Sequence, residues 1–361
     1  MKVQSVTIPS GKESWMVLDE NYLPIQPIER YIRYLESLER SPYTIKNYAH
    51  HLKLFWEFLR DYRLSWDAID VKHIAEFIYW LRNPEPSTIS IQQQEAKRTE
   101  STVNVIRSAV TAFYEYHSMQ GDVKEIPLFR YIRQPRKFKD FLYHINKNKP
   151  VKNSLFKLKE PKKIPQILTK EETIKLIEAC HSIRDKFLIQ LLYESGMRIG
   201  QAISLRHQDI STWDNEIKVI PRFDNVNKAR PKSNQPNSLI VSPELMQLYT
   251  DYLVNELDDV VSDYVFVTLK NQAGKPLTYN AVMSVFRSLR KRTGIDIVTP
   301  HKFRHTHATE LIRDGMGMEW VQKRLGHQSV QTTINIYTHL EAEDLQPQLE
   351  SFFERNKNKE S

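Results

Sequence analysis

A basic segment interrupted by prolines divides the sequence into two parts. Residues 131–163 carry eleven Lys and Arg against two acidic residues, and three prolines break any apolar periodicity there. The chain has 361 residues, enough for two domains whose cores need no disulfides. We therefore predict a basic linker at 131–164, between a first domain at 20–130 and a second at 165–345, with a tail at 346–361.

The charge of the chain points to a polyanionic partner. The formal net charge is +8 and the pI is near 9.2, values that an ordinary basic protein can also have. The clustering at 131–163 favours nucleic acid, because a localised positive strip neutralises several phosphates at once and releases their counterions. We predict a nucleic-acid-binding protein.

The single cysteine, Cys180, rules out an intramolecular disulfide and is typical of a reducing cytoplasm. The first eighteen residues lack the apolar run of a signal peptide. No later stretch approaches the ~20 apolar residues that a membrane-spanning helix needs. We expect a cytoplasmic protein without a membrane partner.

The first domain is predicted to be helical. In SPYTIKNYAHHLKLFWEFL, Ser41 is a suitable N-cap and Pro42 suits the first helical position. Further helices are predicted at 73–83 and 101–117, where apolar residues recur with helical spacing. The helix after Ser41 has one apolar face, formed by Tyr48, Leu52, Phe55 and Leu59.

The second domain combines helices with a small sheet. An apolar helix is predicted to end at Gly196. The alternating segments 215–220 and 237–242 are typical of strands, and Val265–Thr268 is a further short candidate. The remaining segments return to helical periodicity. The predicted fold class is mainly α with a small β-sheet.

The segment TPHKFRHTHATELI predicts a helix whose first turn suits an anion. Thr299 is a fitting N-cap and Pro300 a fitting first residue. His301 and Arg304, three residues apart, share one face near free N–H groups and the positive end of the helix dipole. This arrangement favours a phosphate pocket, although histidine and arginine near helix starts commonly have no such role.

The chain shows no metal or cofactor motif. The His-Glu-x-x-His pattern is missing, no Asp/Glu cluster accompanies the histidines, and the one cysteine is far from them. No phosphate-binding Gly-rich loop is present either. We predict neither metal nor cofactor. The histidines considered for a metal were His301, His305, His307, His327 and His339.

Four motifs in register resemble those of the tyrosine recombinases, the phage integrase family. About a hundred residues separate the first arginine from the His-x-x-Arg motif, and ten separate the last histidine from the tyrosine. The resemblance covers roughly 165–345. The residues that carry it are Arg198 in SGMRIGQAISL, His301 and Arg304 in HKFRHTHATEL, His327 in RLGHQSVQTT and Tyr337 in INIYTHL.

The resemblance implies a two-domain DNA clamp. The segment SPYTIKNYAHHLKLFWEFL is similar, more loosely, to the family's helical SAM-like core-binding domain, and the second domain to its α+β catalytic domain. Among subfamilies, the sequence is most similar to transposases of site-specific bacterial transposons of the staphylococcal type. The implied function is integration or transposition of a mobile element.

The family's site also includes a lysine on a β-hairpin between the first arginine and the His-x-x-Arg motif. Two lysines qualify here: Lys232 precedes Ile240 by eight residues, a common family spacing, and Lys228 matches another variant. We favour Lys232 and keep Lys228 as the alternative. The sequence departs from the family pattern at Gln201, where Glu is usual three residues after Arg198.

The resemblance implies a role for each site residue. Arg198 and Arg304 would grip the non-bridging phosphate oxygens, with His327 donating a further bond. His301 would accept the phenolic proton of Tyr337, the nucleophile, and the hairpin lysine would protonate the leaving 5′-oxygen. The implied product would be a 3′-phosphotyrosyl enzyme, formed without ATP or metal.

The resemblance also implies assembly on double-stranded DNA as a homo-tetramer that pairs two sites. It leaves open the need for accessory recombinases or DNA-bending proteins. The tail either packs on its own domain or docks on a neighbouring protomer, through Leu345, Leu349, Phe352 and Phe353.

Two other functions compete with recombination. A type IB topoisomerase would nick and reseal one duplex by the same chemistry, but the predicted clamp and tail argue against it. A non-catalytic DNA-binding relative would be expected to lose some of the five motif residues, all of which are present.

Overall fold

The computed structural model forms two compact units, Met1–Lys162 and Lys163–Ser361. For 131, 132, 151 and 152 it describes the backbone only. The described residues are 1–8, 11, 13–83, 96–132, 151–161, 166–230, 235–257, 260–270, 272–296 and 298–326.

The amino-terminal unit packs an antiparallel hairpin on a group of helices. Lys2 pairs with Leu18 at one end of the hairpin. Its elements are β1 Lys2–Thr7, β2 Glu13–Leu18, α1 Gln26–Ser37, α2 Pro42–Asp61, α3 Val71–Arg82 and α4 Glu100–Met119. A cluster of buried aromatic rings lies between the helices, with Phe55 and Phe77 4.9 Å apart edge to face.

Helix α2 confirms its predicted start and buried face. The Ser41 side chain accepts a hydrogen bond of 3.1 Å from the Thr44 main-chain N–H, which satisfies one of the unpaired donors of the first turn. Leu52, Phe55 and Leu59 are buried. Tyr48 is partly buried against the same core.

A second hairpin pairs β3 Phe129–Ile132 with β4 Val151–Ser154. β3 runs into the start of the segment predicted to be a linker, and β4 lies inside that segment. Residues 155–161 then pack on α4. Asn104 donates to the Leu158 carbonyl at 3.0 Å and accepts from its N–H at 2.9 Å. Phe156 also packs against the amino-terminal core. The described part of this basic segment therefore belongs to the amino-terminal unit.

The carboxy-terminal unit surrounds the apolar helix α6 with helices and a three-stranded antiparallel sheet in the order β5-β6-β7. The segment Val265–Thr268 does not form the predicted strand: within it only Val267 pairs, in an isolated bridge with Pro276. The elements are α5 Lys170–Glu178, α6 Ile183–Ser195, α7 Ile199–Ala202, β5 Ile210–Ser211, β6 Glu216–Val219, β7 Asn237–Ile240, α8 Pro243–Tyr252, a π-helical turn at Leu253–Leu257, α9 Tyr279–Thr293, α10 Pro300–Arg313 and α11 Met318–Leu325.

Helix ends fall where the local chemistry predicts them. Gly196 ends α6 with φ 60°, a left-handed conformation that glycine adopts without steric cost. Thr299 caps α10 by accepting from the Lys302 N–H at 3.3 Å, and Pro300 is its first residue. Gly326 ends α11 with φ 62°. The predicted mainly helical class with a small sheet is confirmed.

None of the described helices combines the length and the apolar character that crossing a membrane requires.

Candidate active site

The structure describes four of the seven predicted site residues. These are Arg198, Lys228, His301 and Arg304, and all four lie in the carboxy-terminal unit. Lys232, His327 and Tyr337 lie outside the described residues.

Arg198 lies at the junction between α6 and α7, two residues after Gly196. Its side chain is half-buried, and its Nη1 atom is fully buried without a hydrogen-bond partner among the described residues. Burial lowers the pKa of this guanidinium, which nevertheless stays protonated at any physiological pH. A buried donor without a partner is costly in a folded protein, so this nitrogen is a candidate for binding an acceptor that lies outside the described residues.

Gln201 supports Arg198 through the main chain. Its side-chain Oε1 accepts a hydrogen bond of 2.9 Å from the Arg198 N–H. The amide thus fixes the backbone from which the guanidinium projects. Because the amide is neutral, Gln201 supplies this acceptor without a negative charge beside Arg198.

Arg304 is buried, with 5% of its surface exposed, and it joins two helix ends. Its Nη1 donates to the Gly196 carbonyl at 2.8 Å, and its Nη2 donates to the Leu325 carbonyl at 2.7 Å. The Leu325 carbonyl belongs to the last turn of α11 and the Gly196 carbonyl to the residue that caps α6. At such helix ends no intrahelical partner remains and the helix dipole favours a cation. These bonds use two of the five N–H donors of the guanidinium.

His301 lies in the first turn of α10 and is exposed. Arg304, one turn further, is buried among helix ends. The predicted pair thus occupies two different environments on one helix.

The hairpin loop that carries the candidate lysines is fixed to the core before Lys228. The Asn227 side chain donates to the carbonyls of Ile203 and Leu277 at 2.8 and 2.9 Å. Lys228 itself is exposed, has φ 60°, and donates its N–H to the Asn225 carbonyl at 2.9 Å. Lys228 therefore lies at the surface, directly after an anchored turn.

Two functional candidates were not predicted from the sequence. His307 is buried, and its Nε2 accepts a hydrogen bond of 3.0 Å from the Arg324 Nε. Arg324 Nη2 also donates to the carbonyls of Glu194 at 2.9 Å and Ile240 at 3.1 Å. Burial, with Arg324 beside it, lowers the pKa of His307 to about 3, so its imidazole is neutral.

Gly196 is required by the close packing of this cluster. An added Cβ would lie 2.6 Å from His307 Cδ2 and 2.9 Å from Leu325 Cδ2. The glycine therefore meets two demands at once, a left-handed φ and a contact that leaves no room for a side chain.

Within the described ranges, no group of three or more His, Cys, Asp or Glu side chains is placed to hold a metal ion.

Comparison with known proteins defines the class. Residues 161–344 match the model of the phage integrase family, and residues 28–121 match the phage integrase N-terminal SAM-like domain. The chain belongs to the phage integrase family: it is a tyrosine recombinase, an enzyme that cleaves DNA and transfers strands.

Individual relatives refine this assignment. The chain is 44% identical to transposase A from transposon Tn554 of Staphylococcus aureus, over 99% of this chain and 100% of that protein. It is therefore a recombinase of the same type. It is 28% identical to tyrosine recombinase XerC of Oceanobacillus iheyensis, over 88% of this chain and 92% of the relative.

A solved structure of an XerH site-specific recombinase, bound to a palindromic difH substrate after cleavage, has the same fold. The TM-score is 0.61 at 21% identity, over 89% of this chain and 83% of that one.

Proposed function

We propose that this recombinase moves a mobile element between DNA sites, with Tyr337 as the nucleophile. The observation that carries the proposal concerns Arg198, whose buried Nη1 has no hydrogen-bond partner among the described residues. Arg198 follows by two residues Gly196, whose carbonyl Arg304 binds. The name of the transposase from Tn554 supports transposition as the biological role.

The phosphate would be held by cations that do not titrate near neutral pH. In the transition state of phosphoryl transfer, negative charge develops on the non-bridging oxygens, and preorganised donors stabilise it by about 3 kcal/mol each. Arg198 supplies one guanidinium from the α6–α7 junction. Arg304 supplies a second, held in place by its two helix-end carbonyls. His327 adds a further donor.

The proton and the bonds balance without a cofactor. The Tyr337 oxygen forms a bond to phosphorus while the bond from phosphorus to the 5′-oxygen breaks. His301, exposed in the first turn of α10, accepts the phenolic proton. The hairpin lysine, Lys232 or Lys228, gives a proton to the 5′-oxygen. The 3′-phosphotyrosyl ester keeps the bond energy, so a 5′-hydroxyl from another strand can reverse the step.

The proposed partners follow from this chemistry. The substrate would be double-stranded DNA, bound by a helical domain at 20–130 and cleaved by a catalytic domain at 165–345. Two sites would be paired by a homo-tetramer in the cytoplasm, with the tail at 346–361 docking on a neighbouring protomer. Accessory recombinases or DNA-bending proteins would assist where pairing needs them.

Covalent trapping tests the proposal. A target is first selected from random duplexes with the Tyr337→Phe variant, and a nicked duplex with that target is then incubated with each protein. After denaturation, wild type should carry covalently bound DNA. Tyr337→Phe should carry none, and Tyr279→Phe, which changes an exposed tyrosine at the start of α9, should match wild type.

The same assay separates the alternatives. Absence of an adduct from wild type on its selected target would favour a non-catalytic DNA-binding protein, and an adduct in Tyr337→Phe would exclude this tyrosine as nucleophile. A tetramer on paired sites in a gel-shift assay supports recombination. A monomer that relaxes supercoiled plasmid would indicate a topoisomerase instead.

A further inference from the structure

Two arginines connect the ends of the helices that lead into the site. Arg304 binds the carbonyls of Gly196 and Leu325, as described above. Arg324 binds the carbonyls of Glu194, in the last turn of α6, and Ile240, at the end of β7. The last carbonyls of a helix lack intrahelical partners, so they can accept hydrogen bonds from arginines that reach them from another element. The result is a cross-connection between α6, α11 and β7.

Asn237 strengthens the same junction from the sheet. Its side-chain Nδ2 donates to the carbonyls of Lys323 at 3.3 Å and Arg324 at 3.1 Å. The end of α11 is therefore bonded to both ends of β7. From there the chain passes Gly326 to His327.

His307 is the side-chain acceptor for Arg324. The hydrogen bonds of Arg324 go to the His307 imidazole and to two main-chain carbonyls. The nearby Glu194 carboxylate attracts the Arg324 charge, but its hydrogen bonds come from the Ser242 hydroxyl at 2.7 Å and the Gln190 amide at 2.9 Å. The neutral His307 imidazole orients the guanidinium through a hydrogen bond and adds no negative charge beside it.

We infer that His307 and Arg324 are positioning residues for the strand-transfer reaction. His307 fixes the fork of Arg324, and Arg324 holds the end of α11 against the end of α6. In the chain, the end of α11 leads to His327 and the end of α6 leads to Arg198. Arg324, oriented by His307, would therefore set the separation between these two proposed phosphate ligands. This inference rests on the proposed function.

Misplacement of ligands by a fraction of an ångström slows a reaction far more than it weakens binding of an extended DNA duplex. Loss of the His307 acceptor should therefore reduce the rate of covalent adduct formation, measured in a single turnover, by ~10–100-fold. The affinity for the selected duplex should stay within about twofold, because phosphate contacts spread over the whole interface dominate it.

Three substitutions separate positioning from folding. His307→Phe keeps a planar ring but removes the hydrogen-bond acceptor, so this variant should form the covalent adduct slowly. His307→Gln can present an amide oxygen to Arg324 and should recover most of the rate. Arg324→Lys keeps the charge without the fork, and should be slow even if His307→Phe does not fold.

A matched control is available at another helix end. Arg292, on α9, donates to the carbonyl of Ala179 at the end of α5, away from the described site residues. Arg292→Lys should leave the cleavage rate within about twofold of wild type. Equal slowing in Arg292→Lys and Arg324→Lys would show a general effect of losing such bonds and would overturn the inference.

A second measurement does not depend on activity. Amide hydrogen exchange of the full-length protein should become faster at residues 321–326 in His307→Phe and Arg324→Lys, with α5 unchanged. Unchanged exchange there overturns the inference, whatever the cleavage data. If wild type forms no adduct but the exchange changes as expected, the proposed function fails while the connection between the helix ends stands.

Discussion

The Arg304 guanidinium donates a hydrogen bond of 2.8 Å to the main-chain carbonyl of Gly196, 108 residues earlier in the chain. This bond joins the His-x-x-Arg motif to the turn that presents Arg198. Two motifs that are distant in sequence are thus held together by a hydrogen bond to a main-chain carbonyl, which a glycine at position 196 can provide. The geometry of the proposed site is built into the helix ends.

Replacement of Arg198 should separate activity from stability. Arg198→Met removes a buried donor that has no partner among the described residues, and such a donor costs about 1–3 kcal/mol. We expect the free energy of unfolding in urea to stay the same or rise by about 1 kcal/mol, while adduct formation is lost. Arg290→Met, at an exposed position on α9, should change neither. A clear drop in the stability of Arg198→Met would mean that the guanidinium has a structural partner.

Gly196→Ala should destabilise the protein more than the same change at another helix end. The left-handed φ alone costs about 1 kcal/mol, and the contact at 2.6 Å with His307 adds about 1–3 kcal/mol of overpacking. Gly294 ends α9 with φ 73° and has no atom within 4 Å of an added Cβ, so Gly294→Ala isolates the conformational part. The difference in unfolding free energy between the two variants measures the close packing. Equal losses would contradict the contact.

Local signals in the sequence predict the helix ends that frame the site. Ser41 and Thr299 are N-caps in the structure, and Gly196 and Gly326 end their helices, because each of these effects depends on residues within one turn. The predicted positions of Arg198 and Arg304 follow from these ends.

Other features had no local signal. Phe156 and Leu158 pack on the amino-terminal core, but they alternate with Lys157 and Lys159 inside a charged run that resembles a linker. The bonds of Arg324 reach Ile240 and Glu194, 84 and 130 residues away, so no periodicity in the sequence reveals them. Contacts of this kind are decided by tertiary packing.

Acid should weaken the fold through His307. The unfolded imidazole takes up a proton near pH 6.5, whereas the folded one does so only near pH 3, because of burial and the neighbouring Arg324 and Arg304. The unfolded state therefore binds more protons between these values, and the free energy of unfolding falls as the pH falls through that window. Between pH 7 and pH 5, His307 should lower the free energy of unfolding by about 2 kcal/mol.

Urea unfolding of wild type and His307→Gln at pH 7 and pH 5 measures this contribution. Other histidines with lowered pKa, namely His50, His51 and His207, contribute equally to both proteins and cancel in the comparison. Between pH 7 and pH 5, the free energy of unfolding of the variant should fall by about 2 kcal/mol less than that of wild type. An identical loss in both proteins would show that His307 is protonated in the folded state.

A buried ion pair should hold the hairpin loop that presents the candidate lysine. Asp209 is buried and accepts two hydrogen bonds from Arg222, at 2.6 and 2.7 Å, together with one from the Arg206 main-chain N–H at 2.9 Å. Asp209→Asn leaves the Arg222 charge largely buried without its partner, a change that typically costs about 3 kcal/mol or more. Asp263→Asn is the control, because the Asp263 side chain is 84% exposed and lies 4.0 Å from Arg206, so it should cost about 0.5 kcal/mol or less. Urea unfolding gives both values, and hydrogen exchange should rise at residues 222–230 in Asp209→Asn alone. Similar small losses in the two variants would mean that water replaces the buried pair and that the loop is held by its asparagine contacts instead.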